Sequence, residues 1–132
     1  LTKIEKECSP VGIEKTILVV EDEFLIRYWV ADFLRDEGYN VLEALNGDEA
    51  VAILESGVPV DILFSDVRMP GKIDGLGLLA YVQEAHPSLP VVMASGHLIN
   101  VPYSYETSTL FLQKPYTIAQ VERAINTLLP EV

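Results

Sequence analysis

The chain is poor in cysteine and in basic residues, and it has no long apolar run. Its one cysteine, Cys8, can form no internal disulfide and lies in a polar stretch, which fits a reducing compartment and a solvated thiol. Nine lysines and arginines stand against twenty aspartates and glutamates. Nucleic acid would be repelled at long range, and no basic stripe or appended basic helix offsets this, so any output directed at DNA must pass through another protein. Although 49% of the 132 residues are apolar, no run approaches the ~18–20 residues that span a bilayer, and no positively charged start leads into an apolar signal core. No membrane partner is expected, and the chain reads as cytoplasmic. The first residue is Leu1 rather than methionine, so upstream residues are expected. At this length a single domain buries roughly two-thirds of its unfolded surface and needs neither disulfides nor a structural metal.

What is present is a regular alternation. Residues 1–15 mix three lysines and three glutamates with Ser9-Pro10 and Gly12, without a sustained period, and read as a tail or linker; the net charge of −11 therefore belongs to residues 16–132. Short apolar strands are expected at 16–20, 40–44, 61–65, 90–94 and 109–113. Helices are expected at 24–37, with a stripe of Ile26, Val30, Phe33 and Leu34; at 46–56, capped by Asn46; at 75–85, burying Leu76, Leu79 and Val82; and at 117–129, with a Thr117/Gln120 capping box and a stripe of Ile118, Val121, Ile125 and Leu128. Gly38 stops the first helix as a left-handed cap would. Tyr28 and Trp29 widen its stripe toward partial burial. A further helix is due between Ser95 and Thr109, but Pro102, Tyr103, Tyr105 and the run 107–109 give it poor propensity, so it is expected to be weak or absent. Strand–helix alternation of this kind indicates α/β architecture: a doubly wound, five-stranded parallel sheet.

The chemistry-bearing residues stand at strand ends. The run at 62–65 delivers Asp66 and breaks at Pro70; the first strand ends in Glu21, Asp22 and Glu23; the fourth ends in Ser95 and the fifth in Lys114-Pro115. In open parallel sheets, sites form beyond the carboxyl ends of the strands. Carboxylates converging there repel one another unless a cation sits among them or one keeps its proton. A hard divalent ion such as Mg2+ takes a few carboxylate oxygens and completes its shell with water and phosphate oxygens. Lys114 and Ser95 would hold a transferring phosphoryl group by charge and hydrogen bonding.

Five motifs in order, Ile-Leu-Val-Val-Glu-Asp-Glu at 17–23, Ser-Asp-Val-Arg-Met-Pro-Gly at 65–71, Asp-Gly-Leu at 74–76, Met-Ala-Ser-Gly at 93–96 and Phe-Leu-Gln-Lys-Pro at 111–115, resemble the receiver domain of bacterial two-component response regulators. The resemblance implies a flavodoxin-like (βα)5 fold over residues 16–130. It implies that Asp66 accepts a phosphoryl group from a sensor histidine kinase or a histidine phosphotransfer protein. Mg2+ (or Mn2+) would be held by Glu21, Asp22, Asp66 and the main-chain carbonyl of Arg68. Ser95 matches the switch hydroxyl, Phe111 the aromatic switch position, and Lys114 the family's lysine, joined to Pro115 by a cis bond. The domain would be a monomer or weak homodimer that signals to a downstream protein, catalysing only its own phosphorylation and dephosphorylation. It departs from the usual pattern in Glu21, where aspartate is commoner, in one extra residue at Lys72-Ile73, and in a shorter stretch after Ser95.

Other classes fit less well. An aspartyl-phosphate phosphatase dependent on Mg2+ would place an Asp-x-Asp pattern after the first strand, where Val-Glu-Asp-Glu stands. A flavodoxin-like electron carrier needs a glycine- and hydroxyl-rich phosphate loop there, and three acids would repel a flavin phosphate. An interaction module independent of phosphorylation would lack one of the site residues. His86 before Pro87 reads as a helix-end cation and His97 as a surface residue.

Overall fold

Strands covered on both faces are apolar throughout, and the first strand, Ile17-Leu18-Val19-Val20, is wholly buried. A computed structural model describes residues 14–96 and 108–129. In chain order it comprises β1 (Thr16–Val20), α1 (Phe24–Asp36), β2 (Asn40–Ala44), α2 (Gly47–Glu55), β3 (Ile62–Asp66), α3 (Gly75–Ala85), β4 (Val91–Ser95), β5 (Thr109–Gln113) and α4 (Ile118–Leu128). All strand pairs are parallel, in the order β2-β1-β3-β4-β5. This is the doubly wound, five-stranded parallel sheet expected from the alternation, in the flavodoxin-like form that the resemblance implies, with four helices among the described residues. None of those helices is long and apolar enough to cross a membrane.

Side-chain alternation divides the core into two layers. Ile17 and Val19 face Val30, Ala31 and Leu34 of α1 and Val121, Ala124 and Ile125 of α4. Leu18 and Val20 face Ala50 and Leu54 of α2 and Leu78, Leu79 and Val82 of α3. The described helices pack on the two faces of the sheet, and the polar strand ends gather at its carboxyl edge.

Local signals act where they were read. Gly38 takes φ +101°, and its amide and that of Tyr39 return to the Arg35 and Leu34 carbonyls. The Asn46 side chain accepts from the Glu49 amide, and Thr117 and Gln120 form both bonds of a capping box. Three readings change. β3 and β4 each begin and end one residue later than expected, so Asp66 and Ser95 are themselves the last strand residues. In α3 the buried leucines are Leu78 and Leu79, and Leu76 is only partly covered. Tyr28 and Trp29 are 55% and 44% exposed rather than folded into the stripe. The expected weak fourth helix, with Pro102, Tyr103 and Tyr105, lies outside the described residues, as do His97 and Cys8.

Candidate functional site

The strand order brings the polar ends together. β1 and β3 are neighbours with Val20 opposite Ser65, so the next residue of each, Glu21 and Asp66, emerges side by side. One carboxylate oxygen from each of Glu21, Asp22 and Asp66 lies within 4.8 Å of the others. Glu21 and Asp66 are buried, at 4% and 6% exposure, whereas Asp22 faces solvent. On the far side Asp66 is in register with Ala94, and the buried Ser95 follows. The amide of Lys114 donates to the Ser95 carbonyl at 2.7 Å, which fixes the start of the loop after β5. From there the Lys114 Nζ reaches Asp66 Oδ1 at 3.0 Å and Glu21 Oε1 at 3.7 Å.

The loop after Asp66 is held close to it. Val67 and Met69 are buried, and the Gly75 amide donates to the Val67 carbonyl at 2.8 Å. A Cβ at Gly75 would collide with the Asp66 carbonyl oxygen and with Val67, so glycine is required for the first turn of α3 to approach the loop this closely. Arg68 is exposed, two residues beyond Asp66. Phe111 is partly buried against the α2/α3 layer, opposite Met93 in the sheet. Lys114-Pro115 is cis, as expected.

Burial, with the crowding of charge, sets how these groups titrate. Burial raises the Glu21 carboxyl to about 7; the Asp66 charge and the Asp22 side chain push the same way, while the Glu23 amide and Lys114 oppose. Burial disfavours the charge on Lys114, but the hydrogen bond to Asp66 and the charges of Glu21, Asp66 and Glu23 outweigh it and hold the ammonium above the ordinary lysine value. Such a site favours a cation: the carboxylates are close, two are desolvated, and the raised Glu21 carboxyl reflects the cost of burying negative charge there.

Two neighbours were not singled out as site residues. Arg27 of α1 is 8% exposed; its Nη1 donates to the Glu21 carbonyl at 2.9 Å and its Nε to Glu43 Oε1 at 3.1 Å. The signal was there, since Arg27, Val30, Ala31 and Leu34 repeat at helical spacing and are the buried face of α1. Tyr116 follows Pro115 with its ring stacked on Trp29 at 6.0 Å and edge-on to Phe64 at 5.8 Å. Its hydroxyl is buried without a hydrogen-bond partner among the described residues. Burial, with the Glu21 and Asp66 charges, raises its pKa well above the usual tyrosine range.

The family model for the response regulator receiver domain matches residues 17–126. The chain belongs to the response regulator receiver family. It is 35% identical over 133 residues to the sensor kinase CckA of Brucella abortus, a match covering 96% of this chain and 14% of that protein; it thus spans only a small part of the curated relatives' length. Among solved structures, the receiver domain of the hybrid histidine kinase CckA is 41% identical with a TM-score of 0.74, covering 86% of this chain and 98% of that one. The response regulator TrrA of Thermotoga maritima, solved in complex with Mg2+-BeF, is 27% identical with a TM-score of 0.72, covering 86% of this chain and 98% of that one. Receivers of this family serve phosphoryl acceptance in two-component phosphorelay signalling.

Proposed function

We propose that Asp66 is the phosphoacceptor. The observation that carries this is the convergence of Glu21, Asp22 and Asp66 within 4.8 Å of one another, with the Lys114 Nζ 3.0 Å from Asp66 Oδ1. A carboxylate oxygen of Asp66 attacks the phosphorus of a phosphohistidine on a sensor histidine kinase or a histidine phosphotransfer protein. The P–N bond breaks as the P–O bond of the aspartyl phosphate forms, and the imidazole nitrogen leaves with the bonding pair. Residues 16–130 are the receiver unit and 1–15 a tail or linker; the unit acts in the cytoplasm and catalyses only its own phosphorylation and dephosphorylation.

Glu21, Asp22, Asp66 and the main-chain carbonyl of Arg68 would hold Mg2+ or Mn2+. The donor set fits such an ion, being all oxygen, acidic and open to solvent at Asp22. When bound, the ion neutralises charge on the phosphoryl oxygens and on the attacking carboxylate. Lys114, freed from its pairing with the Asp66 carboxylate, turns to the new phosphoryl oxygens. Ser95, at the end of the adjacent strand, donates its hydroxyl to them, and Phe111 one strand further follows that movement. The altered surface is read by a downstream protein. Exposure to acetyl phosphate with Mg2+, followed by mass spectrometry, tests the assignment. One acid-labile phosphoryl group should appear on Asp66 and vanish in Asp66→Asn; undiminished labelling of that variant would overturn it.

A further inference from the structure

Glu21 and Asp22 can serve one ion only if the peptide between them is held at a fixed tilt, because that peptide aims both side chains. Its carbonyl is the Glu21 oxygen that accepts from Arg27 Nη1 at 2.9 Å. The guanidinium is in turn held by Glu43 of β2, through Nε at 3.1 Å, and its central carbon lies over the Phe24 ring, 5.5 Å from the centroid. Glu43 has a second partner, Arg35, whose Nη2 lies 3.0 Å from Oε2 and also donates to the Val41 carbonyl. Glu43 is therefore anchored from both sides, and Arg27 is locked between it and the Glu21 peptide. The other side of Glu21 is tied to β2 as well, by its amide to the Ala44 carbonyl at 3.1 Å.

We propose that Arg27 is a positioning residue for the metal-holding acids: it fixes the Glu21–Asp22 peptide, and so the directions of both carboxylates, without touching the ion or the phosphoryl group. A planar, always charged fork suits this, since it meets a carboxylate and a carbonyl with donors at fixed angles, whereas an ammonium is a point charge on a flexible stem. The inference rests on the metal reading above and adds a residue to it. Partners that orient the groups around a metal are worth roughly 10–100-fold in affinity when removed.

Calorimetric titration with Mg2+ alone, on the protein freed of divalent ions, separates the two readings. Wild type should bind; if it does not, the metal reading itself fails and this one with it. Given binding by wild type, Arg27→Met should weaken it about tenfold or more. Arg35→Met breaks the same charge network on the side away from Glu21, and should leave affinity within about twofold of wild type while lowering stability. The amide resonance of Asp22, which belongs to the peptide Arg27 holds, should move in Arg27→Met without Mg2+ and stay in place in Arg35→Met. Should Arg27→Met fail to fold, Arg27→Lys keeps the charge and should show the same loss of affinity. Mg2+ affinity unchanged in the Arg27 variant, or weakened equally in Arg35→Met, would overturn the proposal and leave the metal reading standing.

Discussion

Lys114 spans two carboxylates that arrive on adjacent strands, with its Nζ 3.0 Å from Asp66 and 3.7 Å from Glu21. The ammonium thus offsets the repulsion between the two acids in the resting protein and lies where a phosphoryl group on Asp66 would appear. Lys114→Met should cost about 1.5–3 kcal/mol in urea denaturation without divalent ions, the scale of a charged hydrogen bond. It should bind Mg2+ at least as tightly as wild type, because a competing positive charge is gone. Amide shifts induced by beryllofluoride should be lost from β4 and β5. Weaker Mg2+ binding in this variant, with those shifts retained, would count against the role given to Lys114.

Magnesium should raise the melting temperature by mass action. At a hundredfold excess over its dissociation constant the gain is about 2.7 kcal/mol. Asp22→Asn removes the solvent-facing carboxylate of the three and should blunt most of that response in a thermal scan, with little change in the metal-free melting point.

Stability of the metal-free protein should depend on Glu21. Its carboxyl is raised from the ordinary carboxylate range to about 7 in the fold, so between those values the native state binds more protons than the unfolded one. Stability then falls as pH rises through that window, and the contribution is fully present only below it. Urea midpoints in a chelator should decline from pH 5 toward pH 8, and Glu21→Gln should flatten the decline. With Mg2+ in excess the trend should weaken or reverse, because the ion takes the place of the proton.

Gly75→Ala should destabilise by about 1–3 kcal/mol, the usual cost of forcing extra atoms into a packed place. The new Cβ meets the Asp66 carbonyl and Val67, so labelling of Asp66 by acetyl phosphate should slow as well. Gly38→Ala meets no atom and is strained only by its φ of +101°. It should cost about 1–2 kcal/mol and leave labelling unchanged.

The parts of the site that could be read in the chain are those where burial and chemistry meet abruptly. An apolar strand ending in Asp66 or in Glu21-Asp22 announces both its burial and its polar end, and parallel neighbours bring such ends into line. Arg27 is absent from the apolar stripe of α1 because it is charged, although its place in the repeat with Val30, Ala31 and Leu34 marks the buried face. In α3 the ambiguity is the opposite one. Gly-Leu-Gly-Leu-Leu-Ala-Tyr-Val is apolar nearly throughout, so periodicity cannot choose Leu78 over Leu76, and only the packing against β1 and β3 does. Tyr28 and Trp29 exceed what one stripe can bury. They remain at the surface with Phe24 and Leu25, where sequence pattern has no means of separating a covered aromatic from an open one.

Trp29 is the only tryptophan in the chain, and it rests on Tyr116, the second residue after Lys114. Intrinsic fluorescence excited at the indole therefore comes from one place, near the cluster of Glu21, Asp66 and Lys114, with about half its surface open to quencher. A shift of Lys114 that carried Tyr116 with it would change the surroundings of that indole. Rapid mixing with Mg2+ or a phosphodonor can then be followed by emission without a label, and Tyr116→Leu would show how much of the signal travels through the stacked pair.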